Sequence, residues 1–412
     1  MRKLHRTTAR DQRQPRTVSS RPHPFLRRPL LSVLLTGATG FLGCRLLREL
    51  LAHGEEDIAV LGRGTPEKLR DRVEAAVQWL DAPPLPHSAL TAVRYVTGDL
   101  TRPGLGLSPL ERARITDGLT ALWHCAALLK MASDPAPLHH ANVIGTRRVL
   151  ELADEAPDAR LLHVSTAYVA GRRATGIIRE DDLVDTAGFQ VPYEESKYTA
   201  ERLVHAWTYR NERDVTVFRP SLLVTDRPIP EDLPAQPADF LLRPLERHLR
   251  SWAKRSSPVQ ALLHRPPGEA GHRASDLHFR VEGDPQGSLN MLQADYAAHA
   301  MVRAASGAGP TTGVQTLHVT HPHNVSFATA AAALQTRFPG LTVSMAERLS
   351  RPTSLERLVA QHGAPLLPYI THRRTYDRTN FIAALDGLPD PAPVDHAYLT
   401  RAFSCAEALV AG

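Results

Sequence analysis

Tyr193 and Lys197 stand four residues apart in the run YEESK. On a helix, positions i and i+4 share one face, so the ammonium lies on the same surface as the phenol. An ordinary tyrosine ionises near pH ~10, and an adjacent positive charge lowers that value toward the working range of an acid–base group. The spacing Y-x-x-x-K is common by chance. Its weight here comes from a second element, LLHVSTAYVAG at 161–171. Ser165 and Thr166 close an apolar run that reads as a strand, where a hydroxyl can hold a carbonyl oxygen beside the phenol. Thr166 is the preferred donor and Ser165 its neighbour.

Upstream, VLLTGATGFLG at 33–43 sets Gly37, Gly40 and Gly43 after a strand and at the start of a helix. The first glycine permits the tight turn, the second lets backbone approach a pyrophosphate, and the third lets helix and strand pack closely. The helix N-terminus supplies free N–H donors and the positive dipole end. This reads as a dinucleotide-phosphate cradle, and it turns the Tyr–Lys pair toward hydride-transfer chemistry, where a positive nicotinamide would add to the pull on the phenol. A site for NAD usually carries an acid at the tip of the second strand to bind the ribose 2′-hydroxyl. Here the tip is LGRG, with Gly62 in that place and Arg63 next. A guanidinium suits a 2′-phosphate, with Lys68 or Arg70 in support, so NADP(H) is favoured over NAD(H).

Such groups need a sheet to aim them. Short apolar runs at 31–36, 58–61, 93–96, 121–125, 160–165 and 215–219 alternate with helical patterns at 41–52, 68–80, 138–153 and 196–210. That alternation is the mark of an α/β, Rossmann-type, doubly wound parallel sheet. The expected organisation is a disordered basic tail at 1–29 and an NADP-binding domain at 30–225. A Pro- and Arg-rich, substrate-covering insertion follows at 226–288. The chain then returns to the core at 289–325, with a last strand near 316–320, and ends in a smaller, mostly helical C-terminal substrate lobe at 326–412.

The formal charge of +6 is misleading about partners, because nine of the basic residues lie in the first thirty positions against Asp11 alone. The rest of the chain is close to neutral, which argues against nucleic acid. No run approaches the roughly 20 apolar residues of a membrane span. Arg27-Arg28 precedes an apolar run too short for an export signal, and one that flows straight into the cradle. Cys44, Cys125 and Cys405 have no paired spacing, which points to a reducing cytoplasm. His139-His140 and His321-Pro-His323 lack companion ligands at metal spacing, so no metal is expected.

Together, TGATGFLG at 36–43, GDL at 98–100, HCAAL at 124–128, NVIGT at 142–146, VSTAYVAG at 164–171, YEESK at 193–197 and FRPS at 218–221 resemble the extended short-chain dehydrogenase/reductase family. The resemblance implies Thr166, Tyr193 and Lys197 as the catalytic set. It implies a cofactor site made of Gly37, Thr39, Gly40, Phe41, Leu42, Gly43 and Arg63, with Asp99 and Leu100 toward the adenine. Ala126 and Ala127 would lie under the cofactor, with Lys197, Pro220 and Ser221 near the nicotinamide. Cys125 stands where the family usually has Asn. Within the family the chain looks most like the thioester reductase and fatty-acyl reductase (male-sterility-type) branch, through the LGRG tip and the matches Tyr193, Ser196, Lys197, Ala200, Glu201, Leu203 and Val204. The runs at 289–304 and 375–385 are looser likenesses. The branch implies an NADPH-dependent reduction of an acyl thioester or aldehyde, the acyl group arriving on CoA or a separate carrier protein. Two alternatives stand beside it. One is a sugar-nucleotide epimerase/dehydratase or hydroxysteroid-type dehydrogenase, and the other a non-catalytic NADP sensor.

Overall fold

Seven of the apolar runs become strands of one all-parallel sheet. The computed structural model describes residues 32–237, 239 and 277–404, apart from 56, 87, 130–133, 308–312, 339–340 and 364–366. The strands are β1 (Ser32–Thr36), β2 (Asp57–Gly62), β3 (Arg94–Thr97), β4 (Leu119–His124), β5 (Arg160–Val164), β6 (Asp214–Phe218) and β7 (Gly313–Leu317). They lie in the order β7-β6-β5-β4-β1-β2-β3. The order reverses between β1 and β4, which opens a crevice at their carboxyl ends. Both faces of the sheet are covered, so most strands are continuously apolar rather than alternating.

One face packs against α1 (Gly43–Ala52), α2 (Pro66–Trp79) and a later helix, Ala294–Gly307, in a core that includes Trp123 stacked on Phe218 at 5.4 Å. The opposite face presents Leu34, Leu122, Leu161 and Val217 to α4 (Gly145–Asp154) and α5 (Pro192–Asn211). Between α2 and α4 lies α3 (Pro109–Thr116), closed by a Ser108–Glu111 capping box. It was not legible as a helix because Ile115 is its one buried residue, which leaves no apolar stripe. The helix expected from 68 starts two residues earlier, since Thr65 caps it and Pro66 suits its first turn. The helix expected over 138–153 begins at Pro135 and passes through a π turn, His139–Ile144, before α4. A π turn has no periodicity that a sequence reading can detect.

Ala294–Gly307, hereafter α6, packs in the sheet core, and the last sheet strand ends at Leu317 rather than Thr320. The lobe contains helices Phe327–Arg337, Ser354–Gly363, Thr379–Ala384 and His396–Ser404. It also carries two-stranded ladders that were not expected. Leu277–Glu282 pairs with Leu341–Ala346, Ser288–Leu289 with Val325–Ser326, and Ile177–Ile178 with Thr375–Tyr376. Part of the expected insertion is therefore a wall of the lobe. Phe381 and Leu385, within the expected lobe at 326–412, pack into the sheet core. The basic tail at 1–29, most of the insertion and Cys405 lie outside the described residues. Among the described residues no helix is long and apolar enough to cross a membrane.

At the centre sits a fully buried ion pair. The Arg219 Nε atom, just after β6, donates to Glu201 Oε1 of α5 at 3.0 Å. The Ser165 hydroxyl donates to the same carboxylate, and Arg219 Nη1 reaches the Glu180 carbonyl at 3.2 Å. Burial opposes the Glu201 charge, but Arg219 outweighs it and holds the carboxyl well below its usual range. The Glu180 carboxylate in turn accepts the backbone N–H groups of His318, Asn380 and Phe381 at 2.8, 2.6 and 3.1 Å. Replacing Arg219 by Met should strand Glu201 and cost about 3–5 kcal/mol in urea unfolding, whereas Arg219→Met with Glu201→Leu should recover most of that loss.

Candidate functional site

The expected catalytic and cofactor residues line one cleft of about 420 Å³ at the carboxyl ends of β1 and β4. Its floor begins at the end of β1. Gly37 takes φ +83°, and a Cβ there would lie 2.6 Å from the Ala126 backbone N, so the loops after β1 and β4 touch. At Gly43 a Cβ would sit 2.0 Å from the Gly37 carbonyl oxygen, so α1 can start only with glycine in this place. Gly40 is looser, 3.2 Å from the same oxygen. No side chain caps α1, and Phe41, Leu42 and Gly43 face the cleft; the Cys44 amide is taken by the Gly40 carbonyl at 3.1 Å, which leaves the Gly43 end of the turn toward an anion.

At the tip of β2, Arg63 is exposed and lines the cleft, its carbonyl held by the Arg72 guanidinium. Of the two supporting cations expected, Lys68 is exposed, whereas Arg70 stacks over the Tyr95 ring at 5.5 Å. A Cβ on Gly62 would meet Leu69 Cδ1 at 2.5 Å, so a side chain at that position would require Leu69 to shift. Asp99 Oδ1 accepts from Thr101 N and Oγ1 at 2.9 and 2.7 Å. Partial burial raises its pKa, but these bonds and the Arg63 charge outweigh burial and hold the carboxyl below its usual range.

Deeper in, Lys197 is buried on α5 and donates to the Val164 carbonyl at 2.7 Å. Burial lowers its pKa to about 8 against the opposing pull of Cys125 and Glu201. Tyr193 is half-buried one turn earlier. The sequence reading expects the ammonium, together with a positive nicotinamide, to pull the phenol down, whereas burial acts in the opposite direction. Lys197 donates one of its N–H groups to Val164, and burial, with Cys125 and Glu194 adding, pushes the phenol up. Burial thus favours the neutral phenol at Tyr193. Burial likewise lifts the Cys125 thiol to about 12.

The two neighbouring hydroxyls part company. Ser165 is committed to Glu201, while Thr166 Oγ1 makes only long bonds, accepting from Tyr168 N at 3.3 Å and reaching the Pro220 carbonyl at 3.4 Å. Ser221 is 6% exposed, lines the cleft, and its hydroxyl has no protein partner. An orphaned hydroxyl, a glycine cradle and uncapped amides in one crevice fit a dinucleotide.

Several supporting residues went unassigned in the sequence. Asn142, in the π turn, accepts from Leu128 N at 2.7 Å and donates to Leu128 O at 3.1 Å and Ser196 Oγ at 2.9 Å. Ser196 donates to the Tyr193 carbonyl at 2.7 Å, so Asn142 fixes the turn that carries the phenol. Its motif, NVIGT, was visible but gave no role. Glu194 is buried and accepts from Gln190 N at 2.6 Å and from the hydroxyl of Tyr369 in the lobe. The Tyr369 ring packs on Tyr168 at 4.7 Å. Nothing in the sequence joins positions so far apart.

Comparison with known proteins agrees with this geometry. The L-2-aminoadipate reductase large subunit of Penicillium chrysogenum is 26% identical over 372 residues, 82% of this chain and 23% of its own length. The chain spans less than a quarter of the length of the curated relatives it matches. The fold is shared with the terminal R domain of the myxalamid PKS-NRPS biosynthetic pathway, at TM-score 0.69 and 24% identity over 91% of this chain and 90% of that one. It is shared too with a thiolation-reductase di-domain from an archaeal non-ribosomal peptide synthetase, at TM-score 0.63 and 18% identity over 92% and 75%. A family model described as male sterility protein matches residues 35–245, half of the chain, which include the cleft lining and strands β2 to β6. The chain therefore belongs to the male sterility protein family of NAD-binding domains, within the extended short-chain dehydrogenase/reductases.

Proposed function

We propose that this protein is an NADPH-dependent reductase that acts on an acyl thioester, carried on CoA or on a carrier protein, or on the corresponding aldehyde. The observation that carries this reading is a neutral phenol, Tyr193, lining the same cleft as the weakly bonded hydroxyl of Thr166. Relatives named as an aminoadipate reductase and a thiolation-reductase di-domain support the substrate class.

The dinucleotide would rest its pyrophosphate on the Gly37–Gly43 loop, with Asp99 and Leu100 toward the adenine. Ala126, Ala127, Lys197, Pro220 and the orphaned Ser221 hydroxyl would surround its nicotinamide end. Arg63 would read the 2′-phosphate, a reading supported by its exposed guanidinium at the cleft and by Gly62 in the place of an acid. When bound, the cofactor supplies the hydride. The chain supplies the rest. Thr166 holds the carbonyl oxygen by a hydrogen bond, and Tyr193 gives that oxygen its proton as charge builds on it. Lys197, as the ammonium, stabilises the phenolate left behind. Release of the thiol then leaves an aldehyde.

Purified protein should oxidise NADPH on addition of a long-chain acyl-CoA or acyl carrier, and Tyr193→Phe should reduce the rate by at least about a hundredfold. Unchanged activity in Tyr193→Phe would overturn the proton-donor assignment, and turnover of a nucleotide sugar instead would move the protein to another class. Because burial sets Lys197 at about 8, kcat/KM should fall as pH rises through that value and the ammonium is lost. Arg63→Ala should weaken NADPH binding roughly tenfold or more while leaving NADH nearly unaffected, as followed by nucleotide fluorescence. Equal losses would mean that Arg63 does not read the phosphate.

A further inference from the structure

Remote from the cleft, helices α1 and α6 bring together the ligand set of a metal. Glu49 and His53 stand one turn apart on α1, and His299 of α6 packs against them. One donor atom from each residue lies within 4.8 Å of the other two. Glu49 Oε2 is 3.0 Å from His299 Nδ1 and 3.8 Å from His53 Nδ1. A tetrahedral ion with bonds of about 2.0–2.2 Å to nitrogen and oxygen sets its donors roughly 3.3–3.5 Å apart, so small side-chain rotations complete the geometry.

The electrostatics call for a cation. Glu49 is 6% exposed, and a carboxylate removed from water needs a compensating charge. The Arg48 guanidinium does not supply it, being spent on the Val77 and Pro83 carbonyls at 2.6 and 2.8 Å. The side chains of His53 and His299 are 34% and 40% exposed, which leaves water free to fill the remaining coordination positions. One turn earlier the same two helices are already keyed, by Arg45 donating to Asp295 at 2.6 Å.

We propose that Glu49, His53 and His299 form a site for zinc or a comparable borderline divalent cation, which clamps α1 to α6 at the end of α1 away from the glycine cradle. Two imidazoles and one carboxylate suit such an ion better than Mg²⁺ or Ca²⁺. Both rings ligate in the neutral form, and His53 exchanges its Nδ1 bond to the Glu49 carbonyl, 2.9 Å, for the metal. The residues are some 250 positions apart in the chain, so paired-histidine spacing gives no hint of them.

The test uses untagged, chelator-stripped full-length protein titrated with Zn²⁺, Co²⁺ and, as control, Mg²⁺. Zn²⁺ should raise the thermal midpoint by several degrees where Mg²⁺ does not. Co²⁺ should develop the visible absorption of a low-symmetry site at one equivalent. Both responses should be lost in His299→Ala and in His53→Ala, and Glu49→Gln should weaken binding at least tenfold. His53→Ala alters a part-exposed side chain, so it keeps the test decisive if His299→Ala does not fold. No response in the wild type, or a response that survives in either histidine variant, overturns the site and leaves two histidines that neutralise a buried carboxylate.

Discussion

The buried Arg219–Glu201 pair is the constraint on which this architecture turns. It joins β6 to α5, and α5 also carries Tyr193 and Lys197. The pair takes the Ser165 hydroxyl at the end of β5 and, through Glu180, the amides of His318 and Phe381 in the distal part of the chain. Two desolvated charges are tolerated because each has a geometrically good partner and further hydrogen bonds. Any shift of α5 along β5 and β6 would leave one of them uncompensated in the interior. The placement of the phenol is thus fixed from behind, by charge, as well as from the side, by Asn142 and Ser196.

The parallel sheet and its crevice were legible in the sequence because each strand is a short apolar run set off by a turn. The cradle was legible because Gly37 and Gly43 are forced by contacts that no side chain survives. Thr166, Tyr193 and Lys197 could be named by order along the chain, and they do meet in one cleft. Protonation could not be read, because it depends on where a side chain points. Lys197 turns to Val164, and burial rather than the ammonium governs Tyr193. Local failures have local causes as well. Ile115 alone gives α3 no pattern, a π turn has no period, and the ladder of 277–282 with 341–346 joins segments whose pairing is set only by the folded lobe.

The division of labour between Ser165 and Thr166 shows how little a motif says about roles. The two are adjacent and chemically alike, at the mouth of one strand. Just past the end of β5 both line the cleft, but the Ser165 hydroxyl is engaged by the ion pair while that of Thr166 makes only long bonds. A motif match that treats them as a unit misses that one serves stability and the other is available to a ligand.

The bond between Tyr369 and Glu194 has a consequence for how such a chain diversifies. A lobe transplanted from a relative would bring new walls for the substrate. Without a hydroxyl in the place of Tyr369, it would also abandon a buried carboxylate one residue from the proposed proton donor, where burial already raises that carboxyl's pKa. Exchange of the lobe is therefore penalised at this contact, as it is where Phe381 enters the sheet core and its amide meets Glu180.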